Sequence, residues 1–142
     1  MNRKRMHPDC GGLVALIALL APAPGLSQGT PTVDGLRVEY LTNPVGIDVV
    51  QPRLSWRIVS SARNTMQAAY QLQVATSEAS LTQGAHLLWD SGKIVSDASL
   101  FVDYAGAPTV ARTRYVWHVR VWDAGGRASP WSPVAHWETG LL

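Results

Sequence analysis

The chain has 142 residues and a single cysteine, Cys10, which lies before the first long apolar run. If the N-terminal segment is removed on export, the mature chain has no cysteine, and disulfides and thiol chemistry are excluded. Cys10 also cannot become a lipidated mature N-terminus, because it precedes the apolar run. With 46% hydrophobic and 15% charged residues, the composition is that of one ordinary globular domain with a hydrophobic core.

An excess of charge of one sign is also missing. Lys and Arg number 12 against 10 Asp and Glu, but Arg3, Lys4, Arg5 and Asp9 all lie before residue 13, so nine of each sign remain beyond it. A balanced chain offers no electrostatic basis for binding nucleic acid or an anionic membrane. Neither partner is therefore expected.

The apolar run Leu13–Ala21 is about half of the roughly 20 residues that span a bilayer. It follows the basic segment Arg3–Arg5 and precedes small residues, which is the pattern of a cleaved export signal. Residues 1–27 are predicted to be a signal peptide cut somewhere between residues 23 and 29. A cut after Ala23 fits the A-x-A rule but places Pro24 next, so a cut after Ser27 is at least as plausible. We expect a secreted or periplasmic protein that has no membrane attachment after cleavage.

Recognisable catalytic and metal-binding patterns are missing as well. No Ser-His-Asp order, glycine-rich phosphate loop or zinc-type cysteine pair occurs. His118 and His136 lack a third ligand at metal-binding spacing. No catalytic, cofactor-binding or metal-binding residue is therefore predicted. The acids considered and set aside, because turns and strand ends place them where acids cap backbone or face solvent, are Asp90, Asp103, Asp123 and Glu138.

The longest amphipathic segment, Arg112–Asp123, organises the chain. A period of two places its side chains on two faces. One face carries Tyr115, Trp117, Val119 and Val121, and the other carries Arg114, Val116, His118, Arg120 and Trp122. The glycines in residues 123–126 can form a tight turn, after which the run 131–139 can fold back antiparallel. A lone hairpin is not stable in water, so other strands must form a second sheet over its apolar face.

Shorter alternating runs supply these strands. Residues 28–35 are rich in Pro, Gly and Thr and indicate a loose leader, and the folded domain is predicted over residues 36–140. The apolar sets predicted to share a face are Leu36, Val38 and Tyr40; Leu54, Trp56 and Ile58; Tyr70, Leu72 and Val74; and Leu100, Val102 and Tyr104. Seven short strands separated by turn signals predict an all-β, seven-stranded antiparallel β-sandwich with strand order A-B-E against C′-C-F-G.

Two irregular features interrupt the strands. Ser77 can cap a single helical turn that Gly84 ends. The segment Asp90-Ser91-Gly92 indicates either a hairpin turn or a bulge within one strand, and we favour the bulged strand.

A series of short motifs carries a family resemblance. Trp56, Tyr70 and the alternation from Tyr115 to Val121 resemble the core of fibronectin type III domains. The full series over residues 33–140 resembles the N-terminal domain of bacterial α-L-rhamnosidases. Its members are Leu54-Ser55-Trp56, Tyr70-x-Leu72-x-Val74-Ala75-Thr76-Ser77, Leu88-Trp89-Asp90-Ser91-Gly92-Lys93, Tyr115-x-Trp117-x-Val119-Arg120-Val121-Trp122-Asp123, Gly126, Ser129-Pro130-Trp131-Ser132 and Trp137-Glu138-Thr139-Gly140.

This resemblance implies an immunoglobulin or fibronectin type III-like accessory sandwich that precedes a catalytic (α/α)6 barrel. The family hydrolyses terminal α-L-rhamnose by inversion, and its two carboxylates belong to the barrel. The sequence contains no barrel, so the chain is interpreted as a fragment. Residues 141–142 would begin the link to a missing domain, and the catalytic and other domains of the parent enzyme would be its partners.

A candidate interdomain or ligand surface is formed by Trp122, Arg120, Trp131, Leu141 and Leu142. Three alternatives stand for Trp122: packing against Arg114 or Arg120 and the loop of Trp131, contact with another domain, or stacking on a sugar ring. Leu141 and Leu142 follow the last strand and would gain most by burial against a following domain. If they form one apolar patch with Trp122, the isolated chain exposes an orphaned interface and should self-associate.

Two functions from different classes remain. The chain is either the non-catalytic N-terminal module of an exported α-L-rhamnosidase, or a free-standing fibronectin type III-like module that binds a protein or carbohydrate.

Overall fold

The computed structural model describes residues 29–142, so the predicted signal peptide lies outside the described residues. Within that range are eight strands and one helix: β1 Thr32–Val38, β2 Arg53–Val59, β3 Gln67–Ala75, α1 Glu78–Gln83, β4 Trp89–Asp90, β5 Ile94–Val95, β6 Val102–Asp103, β7 Arg114–Asp123 and β8 Ala135–Glu138. One sheet has the order β1-β2-β6 and the other β4-β3-β7-β8, and every pairing between strands is antiparallel. The predicted sandwich and its strand order are confirmed.

The eighth strand arises because the predicted bulged strand is divided in two. Both β4 and β5 pair with the same edge of β3, through Val74↔Trp89 and Tyr70↔Ile94. The edge strand takes five residue steps from Trp89 to Ile94, whereas β3 takes only four from Val74 to Tyr70. The extra residue on the edge strand forms a bulge. Gly92 supplies the required positive φ of 62°, and the bulged-strand interpretation is confirmed.

The first strand begins earlier than predicted. It starts at Thr32, not Leu36, and Val33 is 4% exposed, so residues 28–35 are not a loose leader throughout. The pairing with β2 shifts register between Asp34 and Arg37, and Gly35 between them has a φ of 60°. This bulge breaks the period of two, and the alternation therefore does not reveal the start of the strand.

Tyr40 and Leu100 do not share the faces predicted for them. Glu39 and Tyr40 adopt left-handed φ values of 48° and 69° directly after β1. This change of direction turns Tyr40 away from the core, and the residue is 60% exposed. Leu100 is also exposed, because β6 contains only Val102–Asp103.

The core lies between the sheets and is built mainly from the predicted apolar faces. The four residues assigned to the inner face of β7 are all buried. From the opposite sheet Trp56 is 1% exposed, and its indole Nε1 donates to Gln67 Oε1 at 2.9 Å. Trp137 on β8 stacks on Tyr115 with ring centroids 5.1 Å apart. The sequence periodicity therefore assigned these core positions correctly.

The predicted helical turn, α1, packs on part of the outer face of the larger sheet. Ser77 Oγ accepts a hydrogen bond from Ser80 N, and Gly84 ends α1 with a φ of 63°. Leu81 packs with Ala75 of β3 and Val116 of β7. In the described part of the chain, no helix has the length and apolar character needed to cross a membrane.

Candidate functional site

The connection from β7 to β8 fixes the position of Trp131. The predicted strand over residues 131–139 is shorter than expected, because β8 begins only at Ala135. Pro130 and Pro133 have no amide donor and cannot take part in a regular ladder. The segment that contains them follows β7 without forming a strand of its own.

Two serines replace the missing ladder. Ser129 N donates to Val121 O at 2.8 Å, and Val121 N donates to Ser129 Oγ at 2.9 Å. The same exchange joins Ser132 to Val119, at 2.8 and 3.1 Å. Both serines are buried. Trp131 is fixed between these two anchors on the outer face of β7.

Trp131 covers His118. The two rings are stacked with centroids 4.0 Å apart and planes inclined by 9°, and His118 is only 5% exposed. Burial by this stack, together with the nearby Arg120 charge, lowers the pKa of His118 from 6.5 to about 4. His118 is therefore neutral at physiological pH.

Arg120 lies between two tryptophans. Its guanidinium carbon is 5.0 Å from the centroid of Trp122 and 4.7 Å from that of Trp131, and Lys93 Nζ lies 4.7 Å from Trp122. These are cation–π distances. We call the five side chains the outer-face stack: Lys93, Trp122, Arg120, Trp131 and His118.

A layer of amides on β3 fixes the outer-face stack. Asp90 accepts from Gln71 Nε2 and Gln73 Nε2, both at 2.8 Å. These bonds orient both amides, so that Gln71 Oε1 accepts from Arg120 at 2.7 Å and Gln73 Oε1 faces His118 Nε2 at 2.8 Å. Since Gln73 Oε1 can only accept, the neutral His118 carries its proton on Nε2.

Asp90 is held as a carboxylate by the same network. Burial would raise its pKa, but the hydrogen bonds from Gln71, Gln73 and Gly92 and the charge of Arg120 outweigh burial and lower the pKa. A carboxyl group with a lowered pKa is poorly suited to act as a general acid at neutral pH. Its role here is to orient the amides beneath the outer-face stack.

The other acids with resolved contacts are also engaged structurally. Asp123 accepts from Arg127 N at 2.9 Å, and this backbone hydrogen bond is the main cause of the lowered pKa of Asp123. Glu138 Oε1 accepts from Arg114 Nε at 2.6 Å. Among the described residues, no group of three or more His, Cys, Asp or Glu side chains could hold a metal ion.

Of the packing alternative for Trp122, the contact with Arg120 is present, whereas Arg114 pairs with Glu138 instead. The ring of Trp131 contacts Arg120. Contact of Trp122 with another domain or with a sugar stays a prediction.

The expected patch that joins Trp122 to Leu141 and Leu142 is wrong. Arg114 pairs with Glu138 at one end of β7, and Trp122 lies eight residues further along that strand, which corresponds to about 26 Å at 3.3 Å per residue. The leucines follow β8 beyond one end of the sheet, whereas Trp122 lies near the opposite end.

The end of the sandwich that carries Leu141 and Leu142 has further exposed apolar residues that the sequence patterns did not identify. We call this end the exit pole: residues 39–52, 101–113 and 139–142. It includes Tyr40, whose ring packs on that of Phe101 with centroids 4.5 Å apart. The signal that could have indicated it is the density of apolar residues in Leu41–Val50, a segment between two strands that must lie at the surface.

A family model for the Rha78A-like, N-terminal immunoglobulin domain matches residues 33–142. The chain belongs to this family. The α-L-rhamnosidase of Streptomyces avermitilis is 54% identical over 105 residues, which cover 74% of this chain and 10% of that enzyme. The α-L-rhamnosidase of Alteromonas sp. (strain LOR) is 42% identical over 105 residues, covering 73% and 11%.

Solved structures agree with the sequence matches. The crystal structure of the Streptomyces avermitilis α-L-rhamnosidase in complex with L-rhamnose superposes with a TM-score of 0.74 at 52% identity, over 78% of this chain and 10% of that one. The α-L-rhamnosidase from Dictyoglumus thermophilum gives a TM-score of 0.73 at 34% identity, over 80% and 12%. The Rha78A-like immunoglobulin domain described here thus spans about a tenth of the length of these relatives.

Proposed function

We propose that the chain is the non-catalytic N-terminal accessory module of a secreted or periplasmic α-L-rhamnosidase, in which it packs on and positions the catalytic part. The observation that carries this proposal is the match to one small segment of several α-L-rhamnosidases. The parent enzyme would hydrolyse terminal α-L-rhamnose from glycosides, and its remaining domains would be the partners of this one.

The arrangement of acids supports a non-catalytic role. Inverting hydrolysis needs two carboxyl groups about 6.5–9.5 Å apart across a cleft, one of them with a raised pKa. Asp90 and Asp123 have lowered pKa values and Glu138 is paired with Arg114. The described acids with resolved contacts thus serve the fold.

A free-standing carbohydrate-binding module is the second candidate. It is favoured by Trp122, whose ring is only partly buried on the outer face and lies against Lys93. Aromatic rings with adjoining polar groups are suited to bind sugars. The module would then bind glycans in the absence of any other domain.

An assay on the purified chain tests the proposal. Aryl α-L-rhamnoside should be hydrolysed no faster than in the buffer blank, and rhamnose should not bind measurably by calorimetry. Turnover that survives purification and disappears when Asp90 or Asp123 is replaced by Ala would contradict the accessory role. Saturable rhamnose binding that Trp122→Ala abolishes would favour the binding module.

A further inference from the structure

Exposed apolar side chains are concentrated at the exit pole. Nine of the 16 large hydrophobic residues that are exposed in the described part of the chain lie there, among them Val45 at 68% and Leu141 at 71%. Monomeric domains rarely gather exposed apolar groups at one end without a partner.

Hydrogen bonds join the segments of the exit pole into one ordered surface. Thr109 N and Oγ1 donate to Val50 O at 3.2 and 2.9 Å, and Thr139 Oγ1 donates to Val110 O at 2.5 Å. Gly140 N donates to Ile47 O at 2.8 Å. The exposed valines are therefore presented on a fixed scaffold, which lowers the entropy lost when a partner orders them.

Tyr40 and Phe101 form the aromatic part of this surface. Both have left-handed φ values, 69° and 54°, a conformation that is unfavourable for bulky residues and that clusters at functional positions. Arg53 lies beside both rings, 5.8 Å from Tyr40 and 5.3 Å from Phe101. Tyr and Arg are the residue types most often found at the energetic centre of protein interfaces.

The charge of Arg53 is already compensated. Its guanidinium donates to Glu39 Oε2 at 2.7 Å, and its backbone N donates to Glu39 Oε1 at 2.6 Å. An interface that covers this pair does not bury an unpaired charge, which would be costly. The same pair fixes Glu39, the residue before Tyr40, and so holds the aromatic pair in place.

We propose that the exit pole, including the Tyr40–Phe101 pair, is the docking surface for the domain that follows this one in the parent α-L-rhamnosidase. This inference rests on the proposed function. The relatives are about ten times longer than the matched segment, the matched family domain is N-terminal and extends to residue 142, and Leu141 and Leu142 belong to the exit pole. A following domain would thus begin beside the surface it covers.

Hydroxyl-radical footprinting tests this docking surface. The free chain is compared with a full-length chimera, in which this chain replaces the matching segment of the Streptomyces avermitilis α-L-rhamnosidase. Oxidation of Tyr40 and Phe101 should fall several-fold in the chimera. Met66, which is 65% exposed outside the exit pole, is the internal reference and should keep its oxidation rate.

A double variant provides the second measurement. Tyr40→Ser with Phe101→Ser should restore oxidation of Leu141 and Val110 in the chimera. Val95→Ser, at an 84% exposed residue of β5, is the matched control and should restore nothing. The free double variant should stay folded with only a small fall in its unfolding midpoint, because neither side chain belongs to the buried core.

Three outcomes would overturn the inference. Protection of Trp122 and Trp131 without protection of Tyr40 would place the contact elsewhere and leave the proposed function standing. Protection of no side chain would contradict both the docking surface and the accessory role. Protection of Tyr40 in the free chain as strong as in the chimera, at the same concentration, would identify a second copy as the occupant.

Discussion

Trp131 lies flat on His118 with ring centroids 4.0 Å apart, although His118 is on β7 and Trp131 is on the following segment, between Pro130 and Pro133. The contact exists because Ser129 and Ser132 hold the proline-containing segment against β7 through their side-chain oxygens. A neutral, buried histidine is the result. The stack therefore packs the loop that follows β7 against the outer face of the larger sheet.

Folding stability should depend on pH through His118. Its pKa is about 4 in the folded state and 6.5 as a reference for the unfolded chain, so between these values the unfolded state binds more protons. The contribution of His118 to the free energy of unfolding should therefore be constant above pH 6.5. It should fall as the pH is lowered toward 4, by up to about 3 kcal/mol. Urea unfolding measured at pH 7 and pH 4.5 checks this.

The control for the pH effect is His118→Gln, which should flatten that part of the pH dependence. The same substitution at His136, on the neighbouring strand β8, should leave the contribution of His118 in place. An unaltered pH dependence in His118→Gln would refute the assignment of the effect to this residue.

Ser129→Ala and Ser132→Ala should each destabilise the fold. Ser129→Ala leaves the buried amide of Val121 without its acceptor, and Ser132→Ala does the same to the amide of Val119. A buried donor left without a partner lowers the free energy of unfolding by about 1–3 kcal/mol. Thermal unfolding of the two variants, with Ser61→Ala in an exposed loop as the control, measures the loss. Midpoints equal to that of the control would show that water replaces the serine oxygens.

The period of two predicted most of the core. Trp56 and Trp117 were assigned to the interior by alternation alone, and both are fully buried. Alternation succeeds there because inner-face positions must be apolar in a sheet that packs on another. It failed at Gly35, where a bulge changes the period without any change in composition.

The candidate surface could be predicted only in part. The cation–π contact of Trp122 with Arg120 follows from their i, i+2 spacing on one face of β7. The exposed pair of Tyr40 and Phe101 could not be predicted, because their contact depends on left-handed backbone angles at residues far apart in the chain. Local sequence carries little information about such angles in residues other than glycine.

Trp56→Ala should leave the chain largely unfolded. Truncation of a buried tryptophan costs about 3–5 kcal/mol, a large share of the roughly 5–15 kcal/mol available to a domain. It also removes the indole donor to Gln67. Trp122→Ala, at a half-buried residue, is the comparison and should cost less. A urea midpoint for Trp56→Ala within error of the parent would contradict the register of β2.

The isolated chain should self-associate weakly through the exit pole. Removing Leu141 and Leu142 and replacing Tyr40 by Ser should reduce concentration-dependent association, since these groups are exposed and apolar. Trp122 lies at the other end of the sheet, so Trp122→Ser should have little effect on the association. Sedimentation velocity over a range of concentrations measures this, and a strictly monomeric parent chain would favour the free-standing module.

The central claim is that this domain is the accessory module of a longer α-L-rhamnosidase. The most direct measurement is the DNA sequence of the source genome beyond the codon for Leu142. The account predicts further rhamnosidase domains there, in the same frame or after a frameshift, including a catalytic (α/α)6 barrel. An unrelated gene beyond a stop codon, with no rhamnosidase sequence in any frame, would contradict it.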